Sequence, residues 1–357
     1  MKYVLVFLPL LMLEAISAQQ LSVTEGAVLN SFGLSETSGL MRLNESIYVH
    51  NDSGGETALY SIDTISGNVN ESTFLNMSTN VDWEDITRDD DFTYVGDFGN
   101  NLGNRTNLVI YKLSNLELSQ VSGVPDVIEF SYPEQINFDE QLFTTNFDAE
   151  ALVSWGDELL LFTKNWGNQK TNVYSIPKTP GSHEALLLAE IDVEGFITGG
   201  CYDPLADYII LTGYTILEPF VFIIPQGDLS GESMTRISFE VEGGFQIEAI
   251  EQLAANKFIL TREGENQNVP RIFYAEVDWS DYLDDKVKGF KNAYPNPSSD
   301  YVHMGIPIAR WTLYSEEGEM LMKGKSQEIN VKDLSSGNYL LRVEVAQGII
   351  SQRLVVE

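Results

Sequence analysis

Among its 357 residues the chain has one cysteine, Cys201, and three histidines. A single cysteine excludes an intramolecular disulfide, so the fold must stand on its apolar core. Cys201 sits in an apolar context and reads as a buried small hydrophobe rather than a reactive thiol. Basic residues are scarce: 21 Lys and Arg face 53 Asp and Glu, for a net charge of -32. A surface of that sign repels nucleic acid and anionic membranes, and it tolerates divalent cations or cationic groups. No stretch reaches the ~18 consecutive apolar residues that a transmembrane helix needs. Helical periodicity is nearly absent. So are the familiar catalytic signatures: there is no Gly-x-Ser-x-Gly elbow, no paired-histidine zinc motif and no phosphate-cradling glycine loop. Of the histidines, only His50, beside Asn51 and Asp52, stands where a general base would be useful.

What is present is punctuated and repetitive. Met1–Ala18 reads as a secretory signal, with Lys2, an apolar segment over Tyr3–Leu13 and a small-residue region before Gln19. After it, a glutamate opens a strand-like run at Glu36, Glu84, Glu150 and Glu248, with Gly199 holding the same slot in a fifth copy. The slots fall roughly 50 to 65 residues apart, and each copy shows about four short strand-like segments bounded by Gly, Asn, Asp or Ser. The third segment carries an aromatic in every copy: Tyr60, Tyr111, Tyr174, Phe222 and Tyr274. That pattern predicts an all-β chain whose main part is a β-propeller of about five blades. Six stays open, because the long gap between Glu84 and Glu150 could hide strands around Pro133–Thr145. An extra strand at Gly26–Phe32 would complete the last blade and close the ring.

A blade's inner strand starts at the channel mouth, and the loop after its second strand returns there. The glutamate slots should therefore converge with loops carrying His50, Asn51, Asp52, Asp97, Asn100, Lys164, Asn165, Arg262 and Glu263. Glu36, Glu84, Glu150 and Glu248 at one mouth would repel each other unless a cation or protons compensated them, and hard oxygen ligands favour calcium. The competing reading pairs each glutamate with backbone amides and with Lys164, Arg262 or His50. Trp83, Phe98 and Trp166 are available either to line a cleft or to fill the core.

Two resemblances add to this. Asp82-Trp83-Glu84-Asp85-Ile86, Gly96-Asp97-Phe98-Gly99-Asn100-Asn101 and Asp148-Ala149-Glu150-Ala151-Leu152 resemble secreted propellers of the SdiA-regulated and phytase-like esterase groups. That resemblance implies a propeller and, from some members, calcium at the channel; it carries over no catalytic residue. Tyr294-Pro295-Asn296-Pro297, the hairpin around Gly318, Leu334-Ser335-Ser336-Gly337-Asn338-Tyr339 and the alternating strands at the end look like the type A C-terminal sorting domain of the type IX secretion system. That family implies a small Ig-like β-sandwich, a Bacteroidetes source, export across the outer membrane, and attachment to the surface or release. The expected layout is a signal peptide (1–18), a propeller (19–280), a linker (281–293) and a sorting domain (294–357). The expected partners are the type IX machinery and an unidentified ligand. The leading functional expectation is a secreted ligand-binding module without its own catalysis. The alternative is a calcium-assisted hydrolase of ester or phosphoester bonds at the mouth.

Overall fold

The computed structural model describes residues 21–277 and 293–357, apart from 30–33, 141, 205–206, 226–227, 231–233, 243, 245, 255, 265–268, 305–307, 309, 316–319 and 346–347. The expected signal peptide and nearly all of the expected linker lie outside the described residues. No helix among the described residues is long and apolar enough to cross a membrane.

The described residues are all-β apart from a short 3-10 turn at Glu117–Ser119. They open with β1 (Leu21–Val28). Next come β2 (Thr37–Leu43), β3 (Ser46–Asn51), β4 (Ala58–Ile62) and β5 (Val69–Leu75), then β6 (Trp83–Arg88), β7 (Phe92–Asp97), β8 (Leu108–Ser114), β9 (Ser122–Gly123) and β10 (Asp126–Ser131). After these come β11 (Ala149–Trp155), β12 (Glu158–Thr163), β13 (Lys170–Pro177), β14 (Gly181–Glu184) and β15 (Leu186–Asp192). The series ends with β16 (Phe196–Asp203), β17 (Tyr208–Tyr214), β18 (Pro219–Pro225) and β19 (Thr235–Ser238), then β20 (Ile247–Ala254), β21 (Lys257–Arg262) and β22 (Arg271–Val277).

These form five sheets, whose first strands are β2, β6, β11, β16 and β20. Each first strand packs against the first strands of the sheets before and after it, and β20 returns to β2, so the arrangement is propeller-like. β1 pairs with β22 and completes the last sheet. It covers Leu21–Val28, earlier than the sequence suggested, because a shift in register after Glu25 and the bond from Leu29 N–H to Pro270 O end the pairing there. Between Tyr132 and Asp148 no strand occurs among the described residues, so the long gap is filled by a loop. Two short strands went unread in the sequence: β9 pairs in parallel with β5, and β14 with β10. Each covers the outer edge of the preceding sheet, which would otherwise present unpaired backbone to other chains.

The core is a series of apolar layers between successive sheets. Trp83, Met41 and Tyr111 fill the first interface, Tyr94, Phe98 and Tyr174 the second, and Phe162 and Phe220 the third. Phe258 and Phe273 fill the fourth, and Leu40, Val49 and Ile259 close the cycle. Each fully buried large side chain contributes about 1.5–3 kcal/mol, which is how the fold does without disulfides. Cys201 is buried in one of these layers, and burial pushes its thiol well up.

The C-terminal unit contains β23 (Ala293–Tyr294), β24 (Tyr301–Met304), β25 (Arg310–Tyr314), β26 (Met320–Gly324), β27 (Glu328–Asn330), β28 (Gly337–Val345) and β29 (Gly348–Val356). They make two small sheets around Val302, Trp311, Leu313, Leu341, Val343 and Leu354.

Candidate functional site

The five first strands share one irregularity. Their register with the second strand slips between Thr37 and Leu40, Trp83 and Ile86, Ala149 and Ala151, Ile197 and Gly199, and Ile247 and Ala249. A bulge re-aims the side chain it carries. The residues following the corresponding paired positions are Ser38, Glu84, Glu150, Thr198 and Glu248. This corrects two expectations. Glu36 is not in the slot: it is exposed, and its carbonyl accepts from Asp52 N–H as those of Asp82 and Asp148 accept from Phe98 and Lys164. Glu36 therefore matches Asp82 and Asp148, two residues earlier, and Thr198 rather than Gly199 holds the fourth slot. Both hydroxyl slots are used for stitching. Ser38 Oγ donates to Glu84 O and Thr198 Oγ1 to Ile247 O, each 2.5 Å away across to the next sheet.

The three glutamates border a cleft of about 210 Å³, together with Asp52, Lys164, Trp166, Tyr214 and Glu263. Asp52, Asp82 and Glu84 bring carboxylate oxygens within 4.8 Å of one another, and Glu84, Asp148 and Glu150 do the same. Glu84 is common to both groups. Gly99 lies against them: a Cβ there would fall 2.1 Å from Glu84 Oε1 and 2.5 Å from Asp82 Oδ2. Asp148 is held by Trp166 Nε1–H at 2.7 Å and by the Asn100 amide N–H.

Burial and mutual repulsion set the electrostatics. Burial, then the charges of Glu150, Asp52, Asp82 and Asp148, hold Glu84 well above the usual carboxylate range. Asp82 is pushed up to about 7 by burial and by Asp52 and Asp148. Asp52 is pushed up to about 6, chiefly by burial. Burial also raises Glu150 and Asp148, against the pull of Lys164 on both. Lys164 Nζ lies 3.0 Å from Glu150 Oε1, 5.1 Å from the Trp166 ring and 5.4 Å from that of Tyr214. Burial disfavours its charge, yet Glu150, Tyr214, Glu248 and Asp148 outweigh that and hold the ammonium firmly protonated.

The remaining expected residues fall elsewhere. His50 is fully buried with its ring edge-on to Trp83, and burial lowers it to about 4 against the carbonyls of Asn51 and Asp85. It is a buried residue packed on Trp83 and does not line the cleft as a base would. Asp97 is buried and supports the loop beside it, accepting from Asp82 N–H at 3.0 Å and from Arg105 Nη2 at 2.9 Å. Asn100 accepts from Arg105 N–H and donates to Phe147 O. Asn165 is buried against Thr163 and Asn172. The carbonyls of Asn51 and Asp52 receive Asn80 Nδ2, although the Asp52 carboxylate reaches the cleft. Arg262 points away, donating to Glu242 O and Val269 O, and does not pair with Glu248. Glu263 accepts from Gln246 Nε2 at 2.9 Å on the cleft rim. Trp83 and Phe98 are core residues; Trp166 alone of the three lines the cleft. Asp82 and Asp148 were missed as cluster members, though an Asp-x-Glu pattern at 82–84 and 148–150 marks both.

Just below the cluster the channel is plugged. Asp85 Oδ2 accepts from Leu152 N–H at 2.8 Å and from Gly200 N–H at 3.2 Å, which belong to two other first strands.

These features define an all-β, propeller-like protein with a buried carboxylate cluster at one end of its axis and a small C-terminal β unit. Residues 292–357 match the secretion system C-terminal sorting domain, so the chain carries that domain and is exported by type IX secretion to the cell surface or beyond it. No curated protein matches the chain. Among solved structures it is similar to XC5397 of Xanthomonas campestris, described as a gluconolactonase (10% identity, TM-score 0.41, covering 73% of this chain and 90% of that one). It is also similar to an exported protein of Bacteroides fragilis (8%, 0.36, 74% and 96%) and to a TolB of Agrobacterium tumefaciens (11%, 0.35, 92% and 100%). None of these similarities bears on the chemistry of this chain.

Proposed function

We propose that this is an exported ligand-binding protein whose carboxylate mouth holds a calcium ion. In this reading residues 1–18 are a signal peptide, 19–280 a five-bladed propeller, 281–293 a linker and 294–357 an Ig-like sorting unit. The carrying observation is that Glu84 belongs to two carboxylate groups at once, with Gly99 leaving room for its oxygens. Hard carboxylate oxygens in that number suit calcium. Glu84 and Glu150 would be the principal ligands, with Asp52, Asp82 and Asp148 beside them and Glu248 on the rim. Bound calcium would compensate the mutual repulsion and offer a positive centre to a polar ligand in the cleft. Lys164 holds Glu150 in place, and Trp166 and Tyr214 give the ligand an apolar wall.

One observation keeps a hydrolase in view. Glu150, Asp148 and Asp82 are carboxyls raised by burial next to that centre, so protons can be held and moved there. An ester or phosphoester is the substrate class that such a site would take.

The test is thermal unfolding of the full chain with calcium and with chelator. Binding to the folded state adds about 2.7 kcal/mol at a hundred times the dissociation constant. A rise in the midpoint that the double variant Glu84→Gln, Glu150→Gln abolishes is the expected result. Equal midpoints with calcium and chelator would remove the cation and, with it, the assisted hydrolase.

A further inference from the structure

The end of the axis opposite the carboxylate mouth is formed by the turns that join first to second strands. There the C-terminal unit makes its contacts. Arg342, on β28, lies with Nη2 3.5 Å from Asp207 Oδ1 in the β16–β17 turn, and its guanidinium stands 5.3 Å from the Tyr202 ring centre. Tyr202 donates its hydroxyl to the same Asp207 oxygen at 2.6 Å, and Trp155, at the end of β11, packs edge-on against the Tyr202 ring at 4.9 Å. Tyr314 on the neighbouring strand also bonds Arg342. The Arg342 side chain is 16% exposed and that of Asp207 6%, so the pair is withdrawn from solvent. A second contact, more exposed, joins Lys323 Nζ to Asp90 Oδ2 at 3.3 Å in the β6–β7 turn.

The chemistry is complementary. In a chain of net charge -32, the face of the C-terminal unit turned toward the turns supplies cations, and the turns supply carboxylates. Arg342 combines a charge pair with aromatic stacking, which a planar guanidinium does better than an ammonium. Asp207 has a left-handed backbone (φ 62°), so the turn itself presents this carboxylate. Leaving either partner of such a buried pair without the other is costly.

We propose that the turn end is a docking surface for the chain's own sorting domain, latched by Arg342 between Tyr202 and Asp207. Sorting domain and propeller-like domain then travel as one body, with the carboxylate mouth facing away and open. Releasing the latch separates them without disturbing the mouth.

Zero-length carbodiimide coupling of the full-length protein tests this through a pair that the latch variants leave intact. Docking predicts an amide between Lys323 and Asp90, detectable by peptide mass spectrometry, with a yield independent of protein concentration. Arg342→Glu should cut that yield about tenfold or more, since truncating one partner of a buried charge pair commonly costs that much in a binding equilibrium. Asp207→Asn lies in the other domain and keeps a residue that tolerates the left-handed backbone, so it covers the case in which the Arg342 variant fails to fold. It should lower the yield as well, and the swap Arg342→Glu with Asp207→Arg should restore part of it. No Lys323–Asp90 product in the wild type, a yield that rises with concentration, or an undiminished yield in both single variants would overturn the latch.

Discussion

The two ends of the axis are built from the same five strands and treat charge in opposite ways. At the turn end, two arginines of the first strands are spent on backbone. Arg42 donates to Leu253 O and to Asn44 O, and Arg88 donates to Arg42 O, so neighbouring sheets are sewn together. At the mouth, carboxylates crowd within 4.8 Å of one another, and the ammonium of Lys164 contacts Glu150. The first end is stitched together by these bonds; the second crowds negative charge that solvent, protons or a cation must offset. A scaffold keeps such a region only on a frame rigid enough to hold it, and Asp85 sits where the two regimes meet.

The largest expected effect is therefore at Asp85. Asp85→Ala removes the acceptor for Leu152 N–H and Gly200 N–H inside the plug. With Ile86 N–H, which donates to Asp85 Oδ1 at 2.8 Å, three buried donors lose this partner, which should lower stability by about 2–4 kcal/mol in urea unfolding. Equal stability of variant and wild type would show that the ends do not depend on the plug.

Next is pH. Asp82 and Asp52 are raised to about 7 and about 6 in the folded chain, against about 3.9 when unfolded. The folded state thus binds more protons than the unfolded state between roughly pH 4 and 7, and stability falls as pH rises through that window. In chelator, the unfolding midpoint should be lower at pH 8 than at pH 5, by about 2–4 °C for each kcal/mol lost. Calcium should close that gap at pH 8 and do little at pH 5, where protons compete for the same oxygens. A midpoint that climbs with pH in chelator would contradict the raised carboxyls.

Gly99→Ala probes the mouth alone. A Cβ 2.1 Å from Glu84 Oε1 forces the carboxylates apart, so the calcium-dependent shift should drop by at least half while the chelated protein changes little. A full calcium response in that variant would move the cation away from Glu84.

Much of this frame could be read from the chain. Third-strand aromatics at Tyr60, Tyr111, Tyr174, Phe222 and Tyr274 all lie in β4, β8, β13, β18 and β22, where Tyr111, Tyr174 and Phe222 are buried between sheets and Tyr60 and Tyr274 pack half-buried against the core. The slots at Glu84, Glu150 and Glu248 were legible because each precedes an apolar run. The first and fourth slots were misplaced because the bulge adds a residue whose place depends on pairing with a strand about a dozen residues away. Spacing alone cannot distinguish Glu36 from Ser38, and only the register does. Asp82 and Asp148 were visible as Asp-x-Glu, but the meeting of Asp52 with Asp82 depends on the closure of separate sheets. The edge cover by β9 and β14 and the seat of Arg342 have no local signature at all. Each is a contact between segments far apart in the chain, made by residues that read as ordinary surface.

The smallest expected effect separates the two kinds of slot. Ser38→Ala removes a single hydroxyl bond to Glu84 O, and Thr198→Val removes the corresponding bond to Ile247 O. Each should cost about 1 kcal/mol in urea unfolding, the usual net worth of one hydrogen bond. Neither hydroxyl belongs to the carboxylate groups, so the calcium-dependent shift should survive both changes unaltered. If Ser38→Ala also weakened that shift, the hydroxyl slots would belong to the cation's surroundings, and the division between stitching slots and charged slots would fail at the one place where both touch Glu84.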